Sequence, residues 1–250
     1  MFMKSQIICN YIHIPFSGYE RWRCNLAQEY KLMEIQADVL FKYDSSGRMT
    51  EINEPGGLVA PLFFLGGTRE GNVIRFNKIF PNSKMDKVLQ VINNNEHIVD
   101  LKNLIVILNE IRTISSIWMG PAYVFPENFN MTSDAVRVTN ENKELLKVDF
   151  PNLFEEFEWK QPCFAIIQDG IVVSVCCSVR KSAKAAEASA ETLEAYKENG
   201  YGTKSVIAWA NEVKKEGLHP LYSTAWDNFS SQAIAKKLGL HRYGIDLHIS

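Results

Sequence analysis

Immediately before a run of helical period, the chain reads Tyr196-Lys197-Glu198-Asn199-Gly200-Tyr201-Gly202-Thr203. In that run Val206, Ala210 and Val213 recur at three- and four-residue spacings, which predicts one apolar face of a helix ending near Lys215. Glycines before a first helical turn leave its free backbone N–H groups open to an anion, and the helix dipole adds attraction. The stretch therefore predicts a pyrophosphate-binding loop or a plain turn entering a helix.

Upstream of this loop the sequence predicts two β-strands and one ambiguous segment. Apolar, β-branched runs at residues 163–168 and 171–179 flank Asp169-Gly170, a strong hairpin signal, so they should be antiparallel neighbours. At residues 185–193, Ala and Glu favour a helix, while apolar and polar positions alternate as in a strand. Composition alone predicts a helix there.

Downstream of the loop the chain predicts a strand, a helix and a last strand. The strands span residues 220–226 and 241–249. Between them Asn228 opens a helix that ends at Lys236-Lys237, with Gly239 as the C-terminal cap.

Residues 1–125 predict an N-terminal α/β domain of unknown role, separate from a second domain at residues 126–250. A strand at 6–14 precedes a capping box, Ser17 with Glu20, and a helix with one apolar face. The predicted small sheet comprises residues 48–53, 62–65 and 73–76. Helices at 82–95 and 100–111 and a strand at 114–125 complete this half.

Composition excludes several classes of protein. The 250 residues are 46% apolar and 22% charged, as in globular proteins. With 27 basic and 29 acidic residues the net charge is −2, so the positive field that attracts nucleic acid or anionic lipid is missing. No apolar run approaches the ~20 residues of a membrane-spanning helix, and the N-terminus lacks signal-peptide features. We expect a cytoplasmic protein without a nucleic-acid or membrane partner.

Cysteines and histidines give no pattern of a disulfide framework or a metal site. The five cysteines are odd in number, so buried free thiols are expected. The five histidines never reach a zinc-binding spacing, and we predict no metal. The glycine-rich residues 66–71 lack the Gly-Lys-Ser/Thr ending of a phosphate loop, which predicts a turn between strands.

Over roughly residues 130–250 the order of elements resembles the GNAT N-acetyltransferase superfamily. The family's Gln/Arg-x-x-Gly-x-Gly/Ala loop is matched here by Lys197 to Gly202, and its Asn-led helix runs here into Gly239-Leu240. The N-terminal half, with Asn53-Glu54-Pro55-Gly56 and Gly71-Asn72-Val73, is similar to the first half of a bacterial two-part family that includes zwittermicin-resistance-type acetyltransferases. The implied fold is α/β of the α+β type, with a C-terminal mixed sheet flanked by helices.

The resemblance implies transfer of an acetyl group from acetyl-CoA to an amine of a small molecule or peptide. In the family, the strands before the loop and after the helix splay apart and hold the thioester between them. This implies a strand at residues 185–193, whose small side chains allow close approach of the cofactor. The implied cofactor-binding residues are Ala190, Thr192, Lys197, Asn199, Gly200, Tyr201, Gly202, Thr203, Asn228 and Ser231.

In such a reaction the amine must lose a proton and the leaving thiolate needs a proton donor. Glu187 stands where the family often places its general base, and Glu191 shares its strand face. The alternative interpretation of both is a solvated carboxylate on a strand edge. Ala235 stands where many members carry the Tyr that protonates the thiolate, and Lys197 and Leu240 also depart from the pattern. The remaining candidates for the acid are a water, Tyr201, Ser223 and Tyr222, of which Tyr222 is our catalytic candidate.

Two other functions stay open. A non-catalytic acyl-CoA binder would keep the cradle and lack turnover, and an interaction module would use the glycines only as turns. The short joint at residues 126–131 lacks a Gly/Ser-rich linker, so the N-terminal half should pack on the other half and form part of the acceptor pocket or a homodimer contact.

Overall fold

The computed structural model describes residues 26–92 and 99–250. In these ranges the helices are α1 Leu26–Leu40, α2 Asn82–Ile92, α3 Leu101–Asn109, α4 Pro151–Glu155, α5 Tyr201–Lys215 and α6 Phe229–Lys237. The strands are β1 Phe41–Tyr43, β2 Met49–Ile52, β3 Phe63–Gly67, β4 Asn72–Phe76, β5 Ile117–Val124, β6 Val136–Val138, β7 Cys163–Gln168, β8 Ile171–Lys181, β9 Ala185–Thr192, β10 His219–Ser223 and β11 His241–Ile249. The strand predicted at 6–14 and the Ser17/Glu20 capping box lie outside the described residues.

Within the described residues, nine strands form one mixed sheet in the order β4-β3-β11-β5-β10-β9-β8-β7-β6. Among the described strands of this sheet, only β9 and β10 pair in parallel, because α5 connects them as a crossover. Helices cover both faces. On one face of the sheet, Met33 of α1 and Phe64 of β3 are buried together. On the opposite face, α5 and α6 pack on the sheet and Trp209 of α5 is buried there. The predicted mixed sheet flanked by helices is confirmed.

The predicted hairpin is also confirmed. β7 and β8 are antiparallel neighbours, and the turn residues Asp169 and Gly170 have φ of +51° and +81°. Positive φ at both central residues is the conformation that Asp-Gly favours, and it matches the twist of the strands.

Strands from both predicted parts of the chain share the large sheet. β3 pairs with β11 and β4 pairs with β3, so the prediction of a small sheet of their own was wrong. Among the described strands, only β1 and β2 form a separate ribbon. β5 lies between β11 and β10. The residues before and after position 125 therefore pack together, as the short joint predicts.

Gly66 and Gly67 lie inside β3, whereas the sequence predicted a turn over residues 66–71. The chain reverses only after them, with φ of +153° at Gly71. A Cβ built at Gly66 would lie 2.3 Å from Met33 Cγ, and one at Gly244 would lie 2.4 Å from Met33 Cε. Because these glycines have no side chain, α1 can lie close against the sheet. Gly66 is therefore needed for packing and does not form a turn.

Among the described residues the cysteines are buried free thiols, as expected: Cys163, Cys176 and Cys177. The neighbours Cys176 and Cys177 face opposite sides of the sheet, one toward α5 and one toward α4. Burial raises the pKa of Cys177 to about 12, so its reactive thiolate form is scarce at neutral pH.

Candidate active site

The strands β9 and β10 pair only over their first residues. Their parallel register runs from the His219/Ala185 pair to the Leu221/Glu187 pair and includes no later pair among the described residues. β9 continues to Thr192, held by β8 along its other edge. Its edge toward β10 therefore has backbone N–H and C=O groups that an extended ligand can bind as a further strand would.

The strand prediction for residues 185–193 is confirmed, against the helical composition of that segment. Ala188 and Ala190 lie on the face toward α5, and Glu187 and Glu191 lie on the other face. The ladder to β8 overrides helix propensities because these amount to only a few tenths of a kcal/mol per residue.

Two residues in the left-handed conformation shape the loop between β9 and α5. Glu198 has φ of +66° and Gly200 has φ of +78°. Asn199 Nδ2 donates to the carbonyl oxygens of Tyr196 and Lys197 at 3.2 and 3.0 Å. Asn199 thus orders the loop, and Gly200 becomes the N-cap of α5.

The first turn of α5 presents free amides. Within the described residues, the N–H groups of Tyr201, Gly202 and Thr203 have no carbonyl acceptor. A Cβ at Gly202 would lie 3.0 Å from Thr192 Oγ1 and 3.2 Å from Ile234 Cδ1. Glycine at this position therefore allows α5 to begin against β9 and α6, with donors directed at an approaching anion.

Helix α6 places a cation beside that turn. A Cβ built at Gly200 would lie 3.5 Å from Lys237 Nζ, in the last turn of α6. Lys197, by contrast, pairs with Glu194. At the other end of α6, Asn228 Oδ1 caps the helix by accepting from Ser231 N at 3.0 Å. Lys237, rather than Lys197, is thus the cation next to Gly200 at the start of α5.

Tyr222 lies on the α5 side of the sheet at the β9–β10 opening. Its side chain is buried with Ala186 and Ala235, and its hydroxyl forms no well-aligned hydrogen bond within the described residues. Burial raises the pKa of Tyr222 to about 12, with the nearby Ser231 side chain opposing the shift. The phenol therefore keeps its proton at neutral pH and can donate it to a hydrogen bond.

Glu187 is the centre of a buried polar cluster on the opposite, α1 side of the sheet. Only 3% of the residue is exposed. Its Oε1 accepts from Gln36 Nε2 at 3.2 Å and from Ser223 Oγ, and its Oε2 accepts from Arg180 Nη1 at 3.2 Å. Arg180 also pairs with Glu54. Three donors from three elements therefore fix this carboxylate.

Asp246 is a second carboxyl group of the same cluster. It is completely buried, its Oδ2 accepts from Gln36 Nε2 at 3.0 Å, and its Oδ1 has no partner among the described residues. Burial, followed by the charge of Glu187, raises the pKa of Asp246 well above its ordinary value, although Gln36 opposes this. Burial therefore favours the protonated form of Asp246.

Tyr243 and His248 complete the surroundings of the cluster on β11. Tyr243 Oη donates to Gln36 Oε1 at 2.6 Å. Burial, with a smaller contribution from Arg180, lowers the pKa of His248 to about 3, so the imidazole is neutral. Its ring packs against Phe41, Phe64 and Trp118.

The Asn53-Glu54 motif of the N-terminal half anchors α1 and β8 together. Asn53 Nδ2 donates to the carbonyl oxygens of Val39 and Lys181 at 2.9 and 3.0 Å. Because Glu54 pairs with Arg180, this motif joins the Glu187 cluster to the N-terminal half.

The structure gathers most of the predicted cofactor residues around the opening between β9 and β10. These are Ala190, Thr192, Asn199, Gly200, Tyr201, Gly202, Thr203, Asn228 and Ser231. Glu191 is exposed and lies four residues beyond Glu187, about 13 Å along the strand at ~3.3 Å per residue. It is not part of the polar cluster.

Sequence reasoning missed four residues of this site: Gln36, Arg180, Asp246 and Lys237. Gln36 and Asp246 are polar residues within otherwise apolar helical and strand patterns, which was the available signal. Lys237 was interpreted only as a favourable charge at a helix C-terminus.

The C-terminal half of the chain is similar to a known protein family. Residues 125–244 match the model of the GNAT acetyltransferase family. The match covers just under half of the chain, and this part is similar to the GNAT acetyltransferase family. No curated protein sequence matches significantly.

Several solved structures match parts of this chain at low sequence identity. A GCN5-related N-acetyltransferase from Kribbella flavida is 14% identical with a TM-score of 0.50, over 88% of this chain and 93% of that chain. A GNAT-family protein from Novosphingobium aromaticivorans is 13% identical with a TM-score of 0.47, over 54% of this chain and 65% of that chain, just under two thirds of its length. AAC(6')-Iy, in complex with the bisubstrate analogue CoA-S-monomethyl-acetylneamine, is 14% identical with a TM-score of 0.37, over 44% of this chain and 91% of that chain.

Residues 26–92 and 99–250 contain neither a candidate metal site nor a candidate membrane-spanning helix. No group of three or more His, Cys, Asp or Glu residues there could hold a metal ion. No helix in these ranges has the length and apolar character needed to cross a membrane.

Proposed function

We propose that this protein is an N-acetyltransferase that moves an acetyl group from acetyl-CoA to a primary amine of a small molecule or peptide. The observation that carries the proposal is the parting of β9 and β10 after the Leu221/Glu187 pair, beside the free amides of α5. The GNAT family match supports acyl transfer. The proposal includes the two-part arrangement of zwittermicin-resistance-type enzymes, which the docking of Asn53 and Glu54 on β8 supports.

The residues present fit acetyl-CoA. The amides of Tyr201, Gly202 and Thr203, with Lys237, would hold the pyrophosphate. The open edge of β9 would bond the pantetheine amides as a neighbouring strand would. When bound, acetyl-CoA supplies the thioester carbonyl that the amine attacks.

We propose Glu187 as the general base, acting through Ser223. Glu187 is almost fully buried, whereas Ser223 is half-buried at the end of β10 and its hydroxyl donates to Glu187 Oε1. An ammonium group at the opening can give one proton to Ser223 Oγ while Ser223 passes its own proton to Glu187. The amine is then neutral and nucleophilic.

We propose Tyr222 as a hydrogen-bond donor to the leaving sulfur. A thiol ordinarily has a pKa of about 8.5, so transfer of a proton from a phenol whose pKa is about 12 is unfavourable. Donation of a hydrogen bond has no such cost. CoA would then leave as a thiolate and take its proton from solvent.

A non-catalytic acyl-CoA binder is the second candidate. Two observations favour it: Glu187 is already satisfied by three donors, and Ala235 is buried where the family often carries its Tyr. A non-catalytic binder of this kind would bind acetyl-CoA and release no CoA thiol when any amine is added.

Two measurements separate these functions. Calorimetric titration with acetyl-CoA tests the cradle, and thiol release with a panel of small amines, polyamines and peptide N-termini tests turnover. The proposal expects binding and amine-dependent release. Binding without release would support the non-catalytic binder, and absence of binding would contradict both.

A further inference from the structure

We infer that Gln36, on α1, is a positioning residue that sets the orientation of the Glu187 carboxylate. The inference deepens the proposed function and rests on the assignment of Glu187 as the base. It gives the N-terminal part of the chain, whose role the sequence left open, a direct contribution to the site.

The Gln36 carboxamide uses all of its polar atoms in one buried junction. Its Oε1 accepts from Tyr243 Oη at 2.6 Å, and its Nε2 donates to Glu187 Oε1 at 3.2 Å and to Asp246 Oδ2 at 3.0 Å. These four residues are 0% to 3% exposed. Because a carboxylate only accepts hydrogen bonds, the amide nitrogen must face Glu187, and the phenol of Tyr243 holds the other end.

The other groups around Glu187 do not replace this contact. Arg180 reaches Glu187 Oε2 but shares its guanidinium with Glu54, and Ser223 must exchange its proton during turnover. Tyr243 and Asp246 reach Glu187 through Gln36, and His248 is neutral among aromatic rings. Gln36 is therefore the neutral donor that holds Oε1 while the Ser223 proton moves.

The test compares Gln36→Met with Leu32→Met on the same buried side of α1. Methionine matches glutamine in length and removes its donor and acceptor, whereas Leu32→Met changes apolar packing only. We expect Gln36→Met to lower kcat about 10- to 100-fold, the range that loss of a hydrogen bond to a charged group produces. The KM for acetyl-CoA should stay within about twofold, and the pH profile of kcat should shift, while Leu32→Met changes neither.

An unchanged kcat and pH profile in a folded Gln36→Met protein would overturn the inference. If Gln36→Met does not fold, Gln36→Glu, which keeps the acceptor for Tyr243 and replaces the amide donor, takes its place. If the wild type shows no turnover, the proposed function fails separately. The titration of the Glu187 carboxyl carbon by ¹³C NMR then decides: a midpoint moved by the substitution supports positioning, and an unmoved midpoint contradicts it.

Discussion

Glu187 and Tyr222 lie on opposite faces of the sheet at the point where β9 and β10 separate. Glu187 bonds to Gln36 on the α1 side, and Tyr222 packs with Ala235 on the α6 side. A thioester lying in the opening would have a carboxylate on one side and a phenol on the other. The candidate base and the candidate hydrogen-bond donor to the sulfur therefore need not touch each other.

Gly200→Val should abolish acetyl-CoA binding. The branched side chain would stand where phosphate must approach the backbone, next to Lys237 Nζ. The matched control is Gly217→Val, because Gly217 has φ of +77° and Gly200 has φ of +78°, so the backbone strain is similar. In melting curves without ligand, both variants should lose the same amount of Tm relative to the wild type. Acetyl-CoA should then raise the Tm of the Gly217→Val control and leave the Tm of Gly200→Val unchanged. A shift retained by Gly200→Val would place the phosphate site elsewhere.

Lys237→Met should weaken acetyl-CoA binding several-fold at low salt. Its ammonium adds Coulomb attraction to the free amides of α5, and salt screens such exposed charges. Lys236→Met, its exposed neighbour on α6, is the control and should bind as the wild type does. Titration calorimetry at two salt concentrations measures both. Equal affinities for the two variants would remove Lys237 from the site.

Tyr222→Phe should lower kcat on the order of 10²-fold while acetyl-CoA affinity remains. The Tm should not fall, because the deleted hydroxyl forms no well-aligned hydrogen bond within the described residues. Tyr123→Phe, on the neighbouring strand β5, is the control and should keep full activity. Steady-state kinetics that show normal turnover in Tyr222→Phe would contradict a hydrogen bond from Tyr222 to the leaving sulfur.

In His248→Phe, the free energy of unfolding should fall less steeply as the pH is lowered than it does in the wild type. The pKa of His248 is lowered to about 3 in the folded protein, below its ordinary 6.5, so its contribution to stability is present above pH 6.5 and is lost as the pH falls toward 3. Each proton taken up on unfolding changes the free energy of unfolding by about 1.4 kcal/mol per pH unit. Urea titrations at pH 7, 5.5 and 4.5 should show a shallower decline in the variant. Equal slopes would mean that other groups bind these protons.

The sequence was sufficient for elements whose signal is local. Asp169-Gly170 predicted the turn and register of β7 and β8, because only a few backbone conformations join adjacent strands. The helix predicted at 100–111 corresponds to α3, which begins where the Asp100 side chain accepts from Asn103 N. The strand at Ala185–Thr192 needed the family resemblance, because its composition favours a helix and its pairing partner decides otherwise.

Contacts between distant residues were beyond sequence reasoning. Gln36 and Asp246 are 210 residues apart, and no local pattern predicts that one carboxamide joins Asp246 to Glu187. For the same reason the pairing of β3 with β11 was missed, and Gly66 was assigned to a turn. Tertiary packing, here the insertion of Met33 at Gly66, decided that position.

The pair Glu187→Gln and Glu191→Gln tests the central claim most directly. Both variants keep the shape of the side chain and remove a carboxylate, but only Glu187 contacts Ser223 at the opening. We predict that kcat/KM for the amine falls roughly 10²- to 10⁴-fold at neutral pH in Glu187→Gln, with partial recovery at high pH, while Glu191→Gln stays near wild type. Normal turnover by Glu187→Gln, with acetyl-CoA binding unchanged, would contradict the assignment of Glu187 as the base.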